Sequence, residues 1–200
     1  ADGYARSTGK VGVCFATSGP GATNLTTGIA TAYLDSSPVV FITCNVGENL
    51  LGKDAFQEVD STGIAMPITK AAFLVRDPAS IPDVMRQAFA VAANGRPGPV
   101  LIDFLKNVTD PKQEIDYAFI PWRKNRESGG VQELNSAHPL KNPGPDPRDA
   151  ETLLEMISQS ERPLLICGGG VVRGRADRAF RTFAEKLDAP VAITVMGGGG

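Results

Sequence analysis

Short runs at 11–16, 38–44 and 100–104 are apolar almost throughout, where a half-exposed strand would alternate apolar with polar residues. Such runs belong to strands buried on both faces, as in a parallel sheet covered by helices. The segments between them suit that arrangement. Leu25, Ile29, Tyr33 and Leu34 recur at helical spacing within 21–34. Over 77–94, Ile81, Val84, Met85, Ala88, Phe89 and Ala92 fall on one face of an amphipathic helix, which Gly95-Arg96-Pro97-Gly98-Pro99 breaks. Strands alternating with helices predict an α/β fold, a doubly wound parallel sheet.

Beyond residue 108 the pattern changes. Prolines, charges and glycines over 109–146 replace the apolar runs and read as a linker between domains. A second α/β unit follows, with a helix at 149–160, a strand reaching Cys167, a tight turn at Gly168-Gly169-Gly170, a helix at 173–187 and a strand at 190–196. The expected domains are therefore 1–108, a linker at 109–146, and the start of a second, Rossmann-like domain at 147–200. The first seven residues have the character of the last turns of a helix with Gly9 as its C-cap. The last strand runs straight into four glycines, so the chain reads as an internal piece of a longer protein.

Composition removes several classes of function. The formal net charge is −2, so no basic surface for nucleic acid is expected. No apolar run reaches the roughly 18 residues that span a bilayer. Cys14, Cys44 and Cys167 are odd in number and far apart, which fits neither a disulfide framework nor a zinc site and points to a reducing compartment, the cytoplasm or an organelle matrix. His138 is the only histidine and lies in the linker, so no Ser-His-Asp triad or histidine metal site can be assembled. Asp54, Glu58 and Asp60 read as ordinary polar positions of a loop and short helix.

Two glycine turns are candidate ligand sites. In "ATSGPGATN", Ser18-Gly19-Pro20-Gly21 follows a strand and opens a helix, with Ser18 as the expected cap. The glycines permit a sharp turn and a close approach by ligand, and open α/β sheets bind ligands beyond the carboxyl ends of their strands. A plain strand-to-helix connection explains the same residues equally well. The triple glycine at 168–170 lacks the dinucleotide fingerprint: Arg173 stands where the third glycine belongs, and the next strand ends at Met196 rather than an acid. A looser role, letting a cofactor pass close to the backbone, stays open. Lys106 directly follows a strand, so it is either a ligand-facing residue at the sheet's carboxyl edge or a surface lysine.

Taken in order, "ADGYARSTGKVGVCFATSGPGATNL", "TAYLDSSPVVFIT", "LLGKDAFQEVD", "MPITKAAFLVRD", "GRPGPVLIDF" and "RPLLICGGGV" resemble the catalytic subunits of the acetohydroxyacid (acetolactate) synthases, which use thiamine diphosphate. The likeness covers nearly the whole chain apart from the linker. "SGPGATN" and "GRPGPV" are shared among thiamine-diphosphate decarboxylases and carboligases, whereas "GKDAFQE" with "MPITK" points to this subgroup. The resemblance implies a pyrimidine-binding domain followed by the beginning of a flavin-binding domain. It implies pyruvate and a second 2-oxo acid as substrates, and thiamine diphosphate, FAD and Mg2+ as cofactors. A homodimer or tetramer with a small regulatory subunit is implied as well. The family's essential glutamate would precede Ala1, and its Mg2+ site would lie in a further domain.

The same resemblance implies roles for individual residues. Pro20 and Asn24 match positions at the cofactor ring. Phe56 and Gln57 match residues of the substrate channel, with Gln57 near the reactive centre. Lys106 matches the lysine of the family's Pro-Lys-Asp, here Leu105-Lys106-Asn107. Arg96, Gly169, Thr194 and Met196 match flavin-contacting positions. Departures occur at Asn45-Val46-Gly47, where the family has Gln-Val-Pro, and at Met196-Gly197-Gly198-Gly199, where it has Met-Gly-Leu-Gly. Two other readings remain: a related carboligase, such as glyoxylate carboligase or the flavin-free catabolic enzyme, and a non-catalytic nucleotide-binding module on the same fold.

Overall fold

A computed structural model describes residues 1–112 and 146–198. The chain divides into two compact units, Ala1–Lys141 and Asn142–Gly200. Most of the expected linker, 113–145 with His138, lies outside the described residues.

In the first unit, α1 (Asp2–Thr8) ends on Gly9, whose φ of 69° makes the left-handed C-cap expected there. Strand β1 (Gly12–Ala16) follows, then two short helices, α2 (Pro20–Thr23) and α3 (Thr26–Leu34). Next come β2 (Val39–Asn45), α4 (Ser61–Ala65), β3 (Ala71–Val75), α5 (Ile81–Ala93) and β4 (Val100–Leu105). The four strands form one parallel sheet in the order β1-β2-β4-β3.

Burial on both faces of β2 and β4 explains their near-continuous apolarity, broken by Thr43 and Asn45 in β2 and by Asp103 in β4. Val40, Ile42, Val100, Ile102 and Phe104 pack with Ala88 and Ala92 of α5 on one face. Val39, Phe41 and Leu101 pack on the other with Ala5, Ile29, Ala32 and Ala65, from α1, α3 and α4. Helices therefore cover both faces of the sheet, as expected of a doubly wound fold. All six expected apolar residues of the 77–94 helix contribute to that packing, although the regular helix begins only at Ile81, after a 3-10 turn at Pro78–Ser80.

Three local expectations fail. Strand β1 is not buried on both faces. It is an edge strand, and Val13 and Phe15 are 39% and 73% exposed on the face that α5 covers elsewhere. Strand β3 is a further departure: residues 71–75 form a strand at the opposite edge, apolar throughout but fully buried only at Val75, where the sequence reading assigns no strand. The single helix expected over 21–34 is two helices, because α2 stops at Thr23 and a turn at Asn24–Leu25 intervenes.

The second unit holds α6 (Pro147–Ser158), β5 (Leu165–Cys167), α7 (Gly169–Arg173), α8 (Asp177–Leu187) and β6 (Val191–Ile193), with β5 and β6 paired in parallel. The strand expected over 190–196 is only Val191–Ile193, with Met196 in a 3-10 turn at Val195–Gly197, and two further expectations need correction. The triple glycine is not a free turn: Gly168 is the N-cap of α7, and Gly169 and Gly170 are its first residues. The helix expected over 173–187 begins at Asp177, since Gly174 and Arg175 break the chain, Arg175 at φ 52°.

Candidate functional site

A parallel sheet places the carboxyl ends of all its strands along one edge. Beyond that edge of the first unit lie the Ser18-Gly19-Pro20 turn after β1, the 46–60 loop after β2, and Lys106 after β4. Sequence-distant residues meet there. Gly19 adopts φ 59°, ψ −122°, a conformation closed to L side chains. A Cβ built on Gly19 would stand 2.9 Å from the Cβ of Gln57. Ser18 donates from Oγ to Gln57 Oε1 at a long 3.4 Å. The expected Ser18 cap is thus replaced: the N-cap is Gly19, no side chain caps α2, and the Ser18 hydroxyl turns to Gln57 instead. The close approach that Gly19 allows is taken up by the chain's own glutamine.

Gln57 sits at φ 62°, a left-handed conformation unusual for a residue with a side chain. Its loop is tightly braced. Glu58 accepts hydrogen bonds from the backbone N–H of Ala55 (2.9 Å) and of Gly52. Those N–H groups, Ala55 first and Gly52 next, hold the Glu58 carboxyl below its ordinary range. Asp60 caps α4, accepting from Gly63 N (2.8 Å) and Thr62 Oγ1 (2.9 Å). The three acids expected to be plain polar positions therefore differ: Glu58 and Asp60 shape the loop and its exit, while Asp54 stands at a left-handed bend, φ 52°.

The remaining expected residues of this edge are open to solvent. Phe56 is 89% exposed, and Pro20, Asn24, Gln57 and Lys106 are exposed too. The backbone N–H of Lys106 donates to the Val46 carbonyl (3.4 Å), and Asn107 Oδ1 accepts from Glu48 N (3.0 Å), so the Lys106 turn is laced to the loop after β2. Arg96 does not join them. It precedes β4, at the amino edge of the sheet, where Nε donates to Ser36 Oγ (2.7 Å) and Nη2 to the Leu34 carbonyl (3.1 Å).

Beneath the carboxyl edge lies a polar network that composition and motif did not disclose. Asp103 is 1% exposed in the middle of β4. Its Oδ1 accepts from Thr43 Oγ1 and its Oδ2 from Asn45 Nδ2, each at 2.7 Å. Burial pushes the carboxyl above its ordinary range, the two donors pull it down, and the charge of Asp60 pushes it up. Burial, with the Asp103 charge second, also raises the Cys44 thiol. One signal was available in the sequence: an acid inside the apolar run "VLIDFL" must have partners, because an unpaired buried charge is costly.

In the second unit, Gly169, Thr194 and Met196 come together beyond the carboxyl ends of β5 and β6. A Cβ on Gly169 would lie 3.1 Å from the Cβ and from the carbonyl oxygen of Met196, and one on Gly168 would lie 3.8 Å from Thr194 Oγ1. Thr194 N donates to the Cys167 carbonyl (2.9 Å). Around Gly170 there is open space, whereas Gly169 is packed against Met196 and Arg173. The exposed Pro20 and Asn24 beside the Gly19 turn fit a neutral heterocycle such as the pyrimidine of thiamine diphosphate. Among the described residues no group of acids, cysteines or histidines could hold a metal ion, and no helix is long and apolar enough to cross a membrane. All three cysteines are free.

Both units have sequence relatives among known proteins. Residues 1–64 match the model for the thiamine pyrophosphate enzyme N-terminal TPP binding domain, and residues 150–200 match that for the thiamine pyrophosphate enzyme central domain. The whole chain is 48% identical to an acetolactate synthase of Arthrospira platensis and 46% to a probable acetolactate synthase large subunit of Methanocaldococcus jannaschii, covering 32% of each. Over 98% of the chain it is 45% identical to the acetolactate synthase large subunit of Corynebacterium glutamicum, of which it covers 29%. The chain thus spans about a third of the length of these relatives. With both units matched, each by its own domain model, the chain belongs to the thiamine pyrophosphate enzyme family.

Proposed function

We propose that these residues are part of the catalytic subunit of an acetolactate synthase, a thiamine-diphosphate enzyme that condenses pyruvate with a second 2-oxo acid. On this reading residues 1–108 belong to the pyrimidine-binding domain and 147–200 begin the flavin-binding domain. Thiamine diphosphate supplies the carbanion chemistry. FAD and Mg2+ complete the cofactor set, the Mg2+ held outside this stretch of chain. The subunit works as a homodimer or larger assembly with a regulatory subunit, in a compartment that keeps its cysteines reduced.

The observation that carries the reading is the seating of Gln57 on Gly19. It joins the "SGPGATN" turn to the "DAFQE" loop across the 37 residues between Gly19 and Gln57, at the edge where open α/β sheets bind ligands. Pro20 and Asn24 offer a wall and an amide to the cofactor ring. Gln57, held by its left-handed backbone, directs an amide toward the reacting groups, while Phe56 and Lys106 line the approach. Gly169, Thr194 and Met196 form the flavin cradle of the second unit. Arg96, whose Nε and Nη2 are engaged by Ser36 and the Leu34 carbonyl, is assigned to the flavin on the family resemblance alone.

The test uses the full-length enzyme, assayed for pyruvate consumption and acetolactate formation with and without thiamine diphosphate. Cofactor-dependent acetolactate is the expected product; tartronate semialdehyde from glyoxylate would instead select the glyoxylate carboligase reading. Gln57→Ala is expected to lower kcat about tenfold, roughly 1.4 kcal/mol of transition-state stabilisation, with KM little changed. Wild-type turnover in that variant removes Gln57 from the reaction.

A further inference from the structure

The network around Asp103 reaches further than the sheet. Asn45 is the last residue of β2 and is 6% exposed. Its amide uses every donor and acceptor it has. One Nδ2 hydrogen goes to Asp103 Oδ2 (2.7 Å) and the other to the Val59 carbonyl (2.9 Å), while Oδ1 accepts from Val46 N (2.9 Å). Val59 is two residues past Gln57 and closes the loop that Glu58 braces from within. Asp103 in turn is fixed by Thr43. The chain of contacts therefore runs from the centre of β4, through one amide, to the base of the loop that seats Gln57 against Gly19.

We propose that Asn45 is a positioning residue for Gln57, its amide clamping the 51–60 loop to the buried Asp103 carboxylate; this rests on the assignment of Gln57 to the reaction. The rival role, stabilising the sheet alone, belongs to Thr43, whose hydroxyl ties β2 to β4 and touches nothing in the loop. Asn45 is the only described side chain that hydrogen-bonds both Asp103 and the loop backbone. A buried acceptor deprived of its donor is costly, so the clamp is kept closed by the expense of leaving Asp103 Oδ2 and the Val59 carbonyl unmatched.

The experiment compares Asn45→Leu, Asn45→Ser, Asn45→Gln and Thr43→Val in the full-length enzyme, by backbone hydrogen exchange without cofactor and by steady-state kinetics. Asn45→Ser is included because leucine against a buried carboxylate can compromise folding, whereas serine is small, polar and too short to reach Val59. In the Leu and Ser variants, amide exchange over 51–60 is expected to accelerate tenfold or more while the strand amides of β2 and β4 keep their protection. Thr43→Val should leave loop exchange at the wild-type rate, and Asn45→Gln, which keeps both donors, should recover part of the protection. Unchanged loop exchange, or equal acceleration through loop and strands, overturns the clamp. The kinetics separate the two claims: kcat is expected to fall about tenfold with KM nearly constant. Accelerated loop exchange with full kcat would keep the clamp and remove Gln57 from the reaction.

Discussion

Asp103 places a carboxylate where its neighbours Ile102 and Phe104 place hydrocarbon. Burial raises its folded pKa above the unfolded value near 3.8, so protonation favours the folded state. The stabilising contribution is complete below the unfolded pKa and is lost as pH rises through the folded one; at neutral pH the buried charge is a cost. Asp103→Asn can keep both contacts, accepting from Asn45 and donating to Thr43, without the charge. Thermal unfolding on acidification should therefore show the variant's melting temperature, relative to wild type, highest on the neutral side and falling as pH drops through the raised folded pKa toward the unfolded value. A difference independent of pH would mean that Asp103 titrates as an ordinary carboxyl. Gln57 carries a different tension, in its backbone. At φ 62° a residue with a Cβ is strained and glycine is not. Gln57→Gly should then be more stable than Gln57→Ala by about 0.5–1 kcal/mol, reversing the usual rank, as urea denaturation of the two would show.

At the scale of elements, sequence pattern read best where burial is complete. Strands β2 and β4 were legible because each is covered twice and is apolar at nearly every position, Thr43, Asn45 and Asp103 apart. Helix α5 was legible because one face meets the sheet and the other meets water. Strand β3, Ala71-Ala72-Phe73-Leu74-Val75, is apolar throughout but only five residues long and opens on two alanines, and a short apolar run does not by itself separate strand from helix. At the site, the glycine turn and the "DAFQE" loop could be picked out separately, but not their meeting, since Gln57 reaches Gly19 through tertiary folding. Asn45 stands out in the sequence only as a departure from the family's Gln-Val-Pro, and its pairing with Asp103 is not legible there because a side-chain network has no period. Lys70, quoted within "MPITK", also gained a role only in three dimensions. Its Nζ donates to the carbonyls of Val91 and of Asn94 (2.6 Å), capping the last turn of α5, and burial lowers its pKa. Lys70→Met keeps the stem that packs on Gly98 and removes the cap. It should cost about 1–3 kcal/mol in denaturant titration, with the loss of exchange protection concentrated at the carboxyl end of α5.

For the molecule as a whole, each unit presents strand ends and glycine turns along one edge of a parallel sheet, and the residues assigned to cofactor and substrate gather there, Arg96 excepted. The first unit also has a core cut in two by its sheet. Ile102 packs on the α5 side, Ile29 on the other, and Ile42 stands beside Ile102 in register. Ile102→Val and Ile29→Val should each cost about 0.5–1.5 kcal/mol. Their effects should sum within about 0.5 kcal/mol, whereas Ile102→Val with Ile42→Val should depart from additivity. Urea-derived stabilities of the three single and two double variants decide this, and strong coupling between 29 and 102 would contradict the partition. The partition has an evolutionary counterpart. A change of volume at 39, 41 or 101 is answered from α1, α3 and α4, and one at 40, 42, 100 or 102 from α5. Neighbouring letters of a single strand thus drift under separate sets of compensating partners, and an alignment column at 101 should follow residue 29 rather than its own neighbour at 102.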